Sequence, residues 1–195
     1  MRASPLKQEL VDGPALDVEA WARLPEDEVG ELVDGRLTEA EIPDATHETT
    51  FTELYAQLLP WVRDQGALLF GSGLKYGLTD RQGRIPDLSI FFAGRRPPAR
   101  GIVRDPPDVV VEIVSPSPSD ARRDRIDKLA DYASFGVRWY WIVDPALRTF
   151  EVLELRDGRY SHVGAATHGQ VSELPGCPGL VIDLDAIWAA VDRLG

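Results

Sequence analysis

The chain has 195 residues, enough for one domain with a core of ordinary size. Its hydrophobic share of 44% excludes an intrinsically disordered protein, and no apolar run approaches the ~20 residues a membrane helix requires. With 21 basic and 32 acidic side chains the net charge is −11, which disfavours non-specific nucleic-acid binding through a broadly basic surface and leaves room only for a local basic groove.

Residues 1–16 have no periodicity and no apolar signal segment, and read as a flexible N-terminal arm before a single domain over 17–195. Asp17 caps a short helix through Leu24. Asp34-Gly35 between the runs Glu31–Val33 and Arg36–Thr38 predicts a hairpin. Residues 46–65 read as a helix capped by Thr46, with Phe51, Leu54, Tyr55, Leu58, Leu59 and Val62 at helical spacing. Pro60 inside it predicts a kink or an early end. Ala67 to Phe70 is a short strand, which Leu74 to Leu78 extends or pairs with. Ile85 to Phe92 alternates, with Leu88, Ile90 and Phe92 on one face and Asp87, Ser89 and Phe91 on the other.

A Pro- and Arg-rich loop, 94–107, follows and holds Arg95, Arg96, Arg100 and Arg104. Asp108 to Val114 is a buried strand. The turn Ser115-Pro116-Ser117-Pro118-Ser119 delivers a helix that starts at Ser119 or Asp120 and ends at Gly136. That helix carries Arg122, Arg123, Arg125 and Lys128. Each basic group reads either as ordinary solvated charge or as part of a local groove. Arg138 to Val143 is a further strand, stopped by Asp144-Pro145. Its Trp139, Tyr140 and Trp141 suit core or dimer contact better than a base-stacking platform. Asp157-Gly158 marks a second hairpin between Phe150–Leu155 and Tyr160–Val163. The single cysteine, Cys177, excludes an internal disulfide and suits a reducing cytoplasm. A last helix from Asp185 aligns Ile187, Trp188 and Val191. This order of elements predicts an α/β sandwich.

Glu112 stands in the middle of Val109-Val110-Val111-Glu112-Ile113-Val114, where a carboxylate is costly to bury without a cation or several donors. Asp87 follows Pro86 on the strand before it. If the two strands are neighbours with agreeing faces, the carboxylates converge and need a cation between them. Hard oxygen ligands without cysteines or a histidine cluster fit magnesium or manganese and not zinc. The Ile113 carbonyl is a further candidate ligand. Lys128 shares its helical stripe with Tyr132 and Phe135. It either reaches this site or pairs with Asp124 or Asp131 on its own helix. Two acids, a lysine and magnesium make up the equipment of metal-assisted phosphodiester hydrolysis.

These residues carry a resemblance. Pro86-Asp87 followed by Glu112 on the next apolar strand resembles the PD-(D/E)XK nuclease superfamily, whose core of helix, three strands, helix and strand corresponds to residues 46–143. More specifically, Glu31-Leu32-Val33-Asp34-Gly35, His47, Pro86-Asp87-Leu88, Val111-Glu112-Ile113-Val114-Ser115-Pro116-Ser117, Lys128, Tyr132, Gly136-Val137 and Tyr140-Trp141-Ile142-Val143-Asp144-Pro145 resemble the Uma-type putative restriction endonucleases over about residues 18–188. The resemblance implies a restriction-endonuclease-like mixed β-sheet flanked by helices, here with an added C-terminal β-hairpin. It implies a magnesium- or manganese-dependent endonuclease acting on DNA. Cutting both strands of a duplex favours a homodimer with two sites, and the single cysteine without a signal segment favours the cytoplasm. Asp87, Glu112, Lys128 and Glu31 are the implied catalytic residues. Asp87, Glu112, Ile113 and Glu31 are the implied metal ligands, and His47 lies near the site. The superfamily places a lysine two residues after the second acid, where this chain has Val114; the resemblance implies that Lys128 fills that role from the helix.

A second reading is a nuclease fold kept as an inactive module that binds nucleic acid or protein. A glycosidase built on the two carboxylates is a third, and it leaves Lys128 without a role.

Overall fold

The structure, a computed structural model, describes residues 15–25, 30–39, 43–115 and 123–195. Apart from Ala15 and Leu16, the expected N-terminal arm lies outside them. So do the expected helix start at Ser119 or Asp120 and Arg122. Leu16 donates its N–H to the Gly35 carbonyl at 2.7 Å. Helix α1 (Val18–Ala22) is capped by Asp17, whose side chain accepts from the Ala20 N–H. Strands β1 (Gly30–Val33) and β2 (Arg36–Glu39) form the expected hairpin. Asp34 and Gly35 at its tip both have positive φ, 52° and 76°, as a tight two-residue turn requires.

Helix α2 (Ala45–Asp64) departs from expectation in its cap and does not end early at Pro60. Its cap is Asp44, which accepts from the His47 N–H, and Thr46 lies inside the first turn. It also runs through Pro60. Ala56 and Pro60 face solvent, so the carbonyl that proline leaves unpaired meets water, while buried Leu58, Trp61 and Val62 hold the turn to the core.

Six strands form the main sheet: β3 (Leu68–Phe70), β6 (Leu88–Phe91), β7 (Val109–Ile113), β8 (Trp139–Asp144), β9 (Thr149–Arg156) and β10 (Arg159–Ala166), in the order β10-β9-β8-β7-β6-β3. The β7–β8 pair is parallel and the other neighbours are antiparallel. The C-terminal hairpin, β9–β10, thus extends this sheet. A second sheet of four strands, order β2-β1-β5-β4, contains β4 (Tyr76–Thr79) and β5 (Gln82–Arg84). The segment 74–78 was expected to join 67–70; instead β4 pairs with β5, a short polar strand without apolar periodicity. Gly83 on β5 admits the Trp21 ring so closely that a Cβ there would lie 2.4 Å from it. Strands β11 (Gln170–Val171) and β12 (Ile182–Asp183) pair with each other before helix α4 (Leu184–Asp192).

Helices α2 and α4 cover one face of the main sheet, where Leu54, Leu58 and Trp188 pack with Leu88, Val111 and Trp141. On the opposite face a π-helical turn, Arg123–Asp127, leads into α3 (Lys128–Phe135), whose Tyr132 packs with Val110, Tyr140 and Ile142. Gly136 ends α3 with φ 95°. Trp139, Tyr140 and Trp141 are core residues of an interior strand, so they offer no dimer surface. A mixed sheet flanked by helices is the α/β arrangement the sequence leads one to expect.

Candidate active site

Glu112 on β7 is 1% exposed. The sequence problem it poses is solved from α3. Lys128 Nζ lies 2.8 Å from its Oε2, and the Tyr132 hydroxyl donates to its Oε1 at 2.6 Å. The two donors stand one helical turn apart, so both side chains leave α3 on the same side. Lys128 therefore pairs across to the sheet, and Asp131 of its own helix binds Arg84. Burial, reinforced by the Glu112 and Glu31 charges, pushes the Tyr132 hydroxyl well above the usual tyrosine range, so it stays a proton donor.

Asp87 precedes β6. The β6–β7 register ends where Leu88 pairs with Val111, and Asp87 lies just before it. Its Oδ2 accepts from the Ile113 N–H at 2.7 Å and lies 3.2 Å from Nε2 of His47, which is in the first turn of α2. Burial opposes protonation of His47, but the Asp87 carboxylate outweighs it, with Glu48 and Glu112 adding, and the imidazole is pushed above its usual value. Its Nδ1 is buried and makes no hydrogen bond among the described residues.

Glu31 on β1 stands slightly apart. Leu32 pairs with Gly83, which sets Glu31 across from Arg84 on β5. Arg84 lies 2.6 Å from Oε2, and the Ile85 N–H donates to Oε1 at 3.0 Å. Burial resists the charge on Glu31, yet Lys128 and Arg84 overcome it and hold its pKa down to about 2. Ile113 is buried within β7, with its N–H committed to Asp87.

The sequence reasoning missed Arg84. It is 1% exposed and lies 2.5 Å from Asp131 on α3 as well as 2.6 Å from Glu31. Burial opposes its charge, and these two carboxylates more than restore it. Its signal was an arginine on a short strand running directly into Ile85-Pro86-Asp87. Tyr132 was visible only as an aromatic beside Lys128. The candidate basic groove is partly neutralised: Arg95 pairs with Asp108 at 2.6 Å, Arg104 with Glu19 at 2.7 Å and Arg125 with Glu151 at 2.5 Å. Cys177 is buried and its thiol pushed up to about 12, which leaves it inert.

Among the described residues no group of three or more His, Cys, Asp and Glu side chains is arranged to hold a metal. Two carboxylates, Glu112 and an Asp87 bonded to the N–H of Ile113 beside it, are nonetheless a magnesium-type donor set, because that ion keeps several waters and takes one or two carboxylates rather than an all-protein cage. Asp87 Oδ1 makes no hydrogen bond among the described residues, and Glu112 accepts from Lys128 and Tyr132 through different oxygens.

This fold, with two acids at neighbouring strand ends and a lysine from the next helix, belongs to the restriction-endonuclease-like class. A crystal structure of a putative nuclease from Anabaena variabilis is similar, with a TM-score of 0.70 over 90% of this chain and 99% of that one. At 18% identity the likeness speaks to the fold. The pattern of the Uma2 family, described as "Putative restriction endonuclease", matches residues 17–185, and the chain belongs to that family. No curated protein sequence matches it. Among the described residues no helix is long and apolar enough to cross a membrane.

Proposed function

We propose that the protein is a metal-dependent DNA endonuclease that hydrolyses phosphodiester bonds in the cytoplasm. The observation that carries this reading is the Glu112–Lys128 contact of 2.8 Å, with Asp87 bonded to the N–H of the adjoining Ile113. The family's description and that of the Anabaena protein support it. Asp87, Glu112 and the Ile113 carbonyl would hold magnesium or manganese, and Glu31 would add negative charge nearby. The bound ion supplies Lewis-acid polarisation of a phosphate and a water of lowered pKa. Lys128 puts a positive charge next to the acids, where charge on a phosphoryl group can be stabilised. Tyr132 fixes the Glu112 carboxylate by donating to one oxygen, and His47 and the Ile113 N–H fix Asp87. Cutting both strands of a duplex needs two sites, which a two-fold homodimer supplies.

Incubating supercoiled plasmid and single-stranded DNA with magnesium or manganese tests this reading. The protein should cleave, and chelator or Glu112→Ala should stop it. One observation favours the inactive binding module instead: both Glu112 oxygens already accept from Lys128 and Tyr132. Titration separates the two readings, since a relic site binds magnesium weakly or not at all.

A further inference from the structure

We infer that Arg84, Asp131 and Glu31 form a clamp that sets the rotation of α3, so that Lys128 and Tyr132 both reach Glu112. They are positioning residues, and only the kinetic part of the inference rests on the nuclease reading. A guanidinium that is 1% exposed needs anions around it. Arg84 takes them from two elements: Glu31 on β1 at 2.6 Å, and Asp131 on α3 at 2.8 Å from Nε and 2.5 Å from Nη2. Gln82 Nε2 donates to the same Asp131 oxygen at 2.8 Å. Residues 82 and 84 lie on one face of β5, so the strand grips the helix with two side chains.

Asp131 sits between Lys128 and Tyr132 along α3. A rotation that freed Asp131 would carry both donors away from Glu112. The apolar packing of Tyr132 against Val110 and Ile142 is non-directional and does not set that rotation. A buried ion pair adds little net stability over apolar replacements, so its directionality is the feature to explain. The chain also leads from Arg84 through Ile85, whose N–H holds Glu31, to Pro86 and Asp87. One strand end therefore carries the first acid and the grip on the helix that serves the second. On the other side, Arg125 in the π-helical turn reaches Glu151 at 2.5 Å and Asp144 at 3.2 Å, which ties the start of α3 to the main sheet.

The test uses Asp131→Asn, which keeps the volume, and Gln82→Ala, which loosens the grip without changing charge should the first variant not fold. The Tyr132 hydroxyl proton, shared with Glu112, is followed by proton NMR and assigned by its disappearance in Tyr132→Phe. In folded variants this resonance should shift or vanish. The kcat for plasmid cleavage should fall roughly 10- to 100-fold with KM within about twofold. Adding Asp131→Asn to Lys128→Ala/Tyr132→Phe should cost nothing further in kcat, because the clamp acts through those two donors. An unchanged resonance and kcat with only a lower melting temperature would overturn the clamp and leave a structural ion pair. If the wild-type protein cleaves no DNA while the resonance responds as described, the nuclease reading fails and the clamp stands.

Discussion

Glu112 and Lys128 form a buried pair whose partners depend on each other. Carboxylate repulsion alone argues that removing one acid should leave stability unchanged or raise it. The observed contact reverses that expectation for Glu112, because Glu112→Ala leaves the Lys128 charge in a site only 8% exposed. Stripping one partner from such a pair costs about 3–5 kcal/mol. Chemical denaturation should show a loss of that order for Glu112→Ala, with most of it recovered in Glu112→Leu/Lys128→Met. Equal stability of Glu112→Ala and wild type would mean that Lys128 leaves the site freely. Glu31 gives a pH signature. Its carboxyl is lowered from 4.5 to about 2 on folding, so its contribution is fully present above 4.5 and is lost as pH falls toward 2. The shift corresponds to about 3 kcal/mol. The stability difference between wild type and Glu31→Gln, measured by denaturant melts, should be largest near neutrality and shrink across that window. A difference independent of pH would assign the loss to packing alone.

At the scale of elements, legibility followed local chemistry. Asp34-Gly35 and Asp157-Gly158 marked their hairpins because few dipeptides accept a turn with positive φ, and the apolar run 109–114 marked β7. Strand β5 was illegible: Gln82-Gly83-Arg84 has no alternation, and its place depends on Trp21 packing over Gly83 and on carboxylates brought from β1 and α3. The site was legible in the same measure. Asp87, Glu112 and Lys128 stood out as charges in apolar or aromatic settings, whereas Arg84 is buried only through long-range partners that no local window reveals. Pro60 shows tertiary packing overriding a local rule. Because Pro60 is solvent-facing within α2, Pro60→Ala should restore a main-chain bond to Ala56 and raise stability by about 1–3 kcal/mol. A thermal melt showing no gain would mean that the helix is already bent to suit the proline.

Over the whole molecule, the aromatic strand read as core or dimer contact lies in the core, with Tyr140 and Trp141 fully buried. The homodimer proposed for double-strand cutting therefore needs other surface, and the β9–β10 hairpin at the edge of the main sheet remains available. Light scattering at micromolar concentration should give twice the mass of one chain; a monomeric mass would mean that the two strands are cut in separate encounters. The net charge of −11, with Arg95, Arg104 and Arg125 already paired to carboxylates, confines DNA attraction to few contacts.

The central claim is that Asp87 and Glu112 hold a metal beside Lys128 and that this centre cuts DNA. The rate of supercoiled plasmid nicking with magnesium, for the wild-type protein, Asp87→Asn and Glu112→Gln, tests it most directly. Nicking by the wild type that falls to the chelator background in both variants, each still folded, is the predicted result. Nicking by either variant at the wild-type rate, or none by the folded wild type with magnesium or manganese, would contradict it.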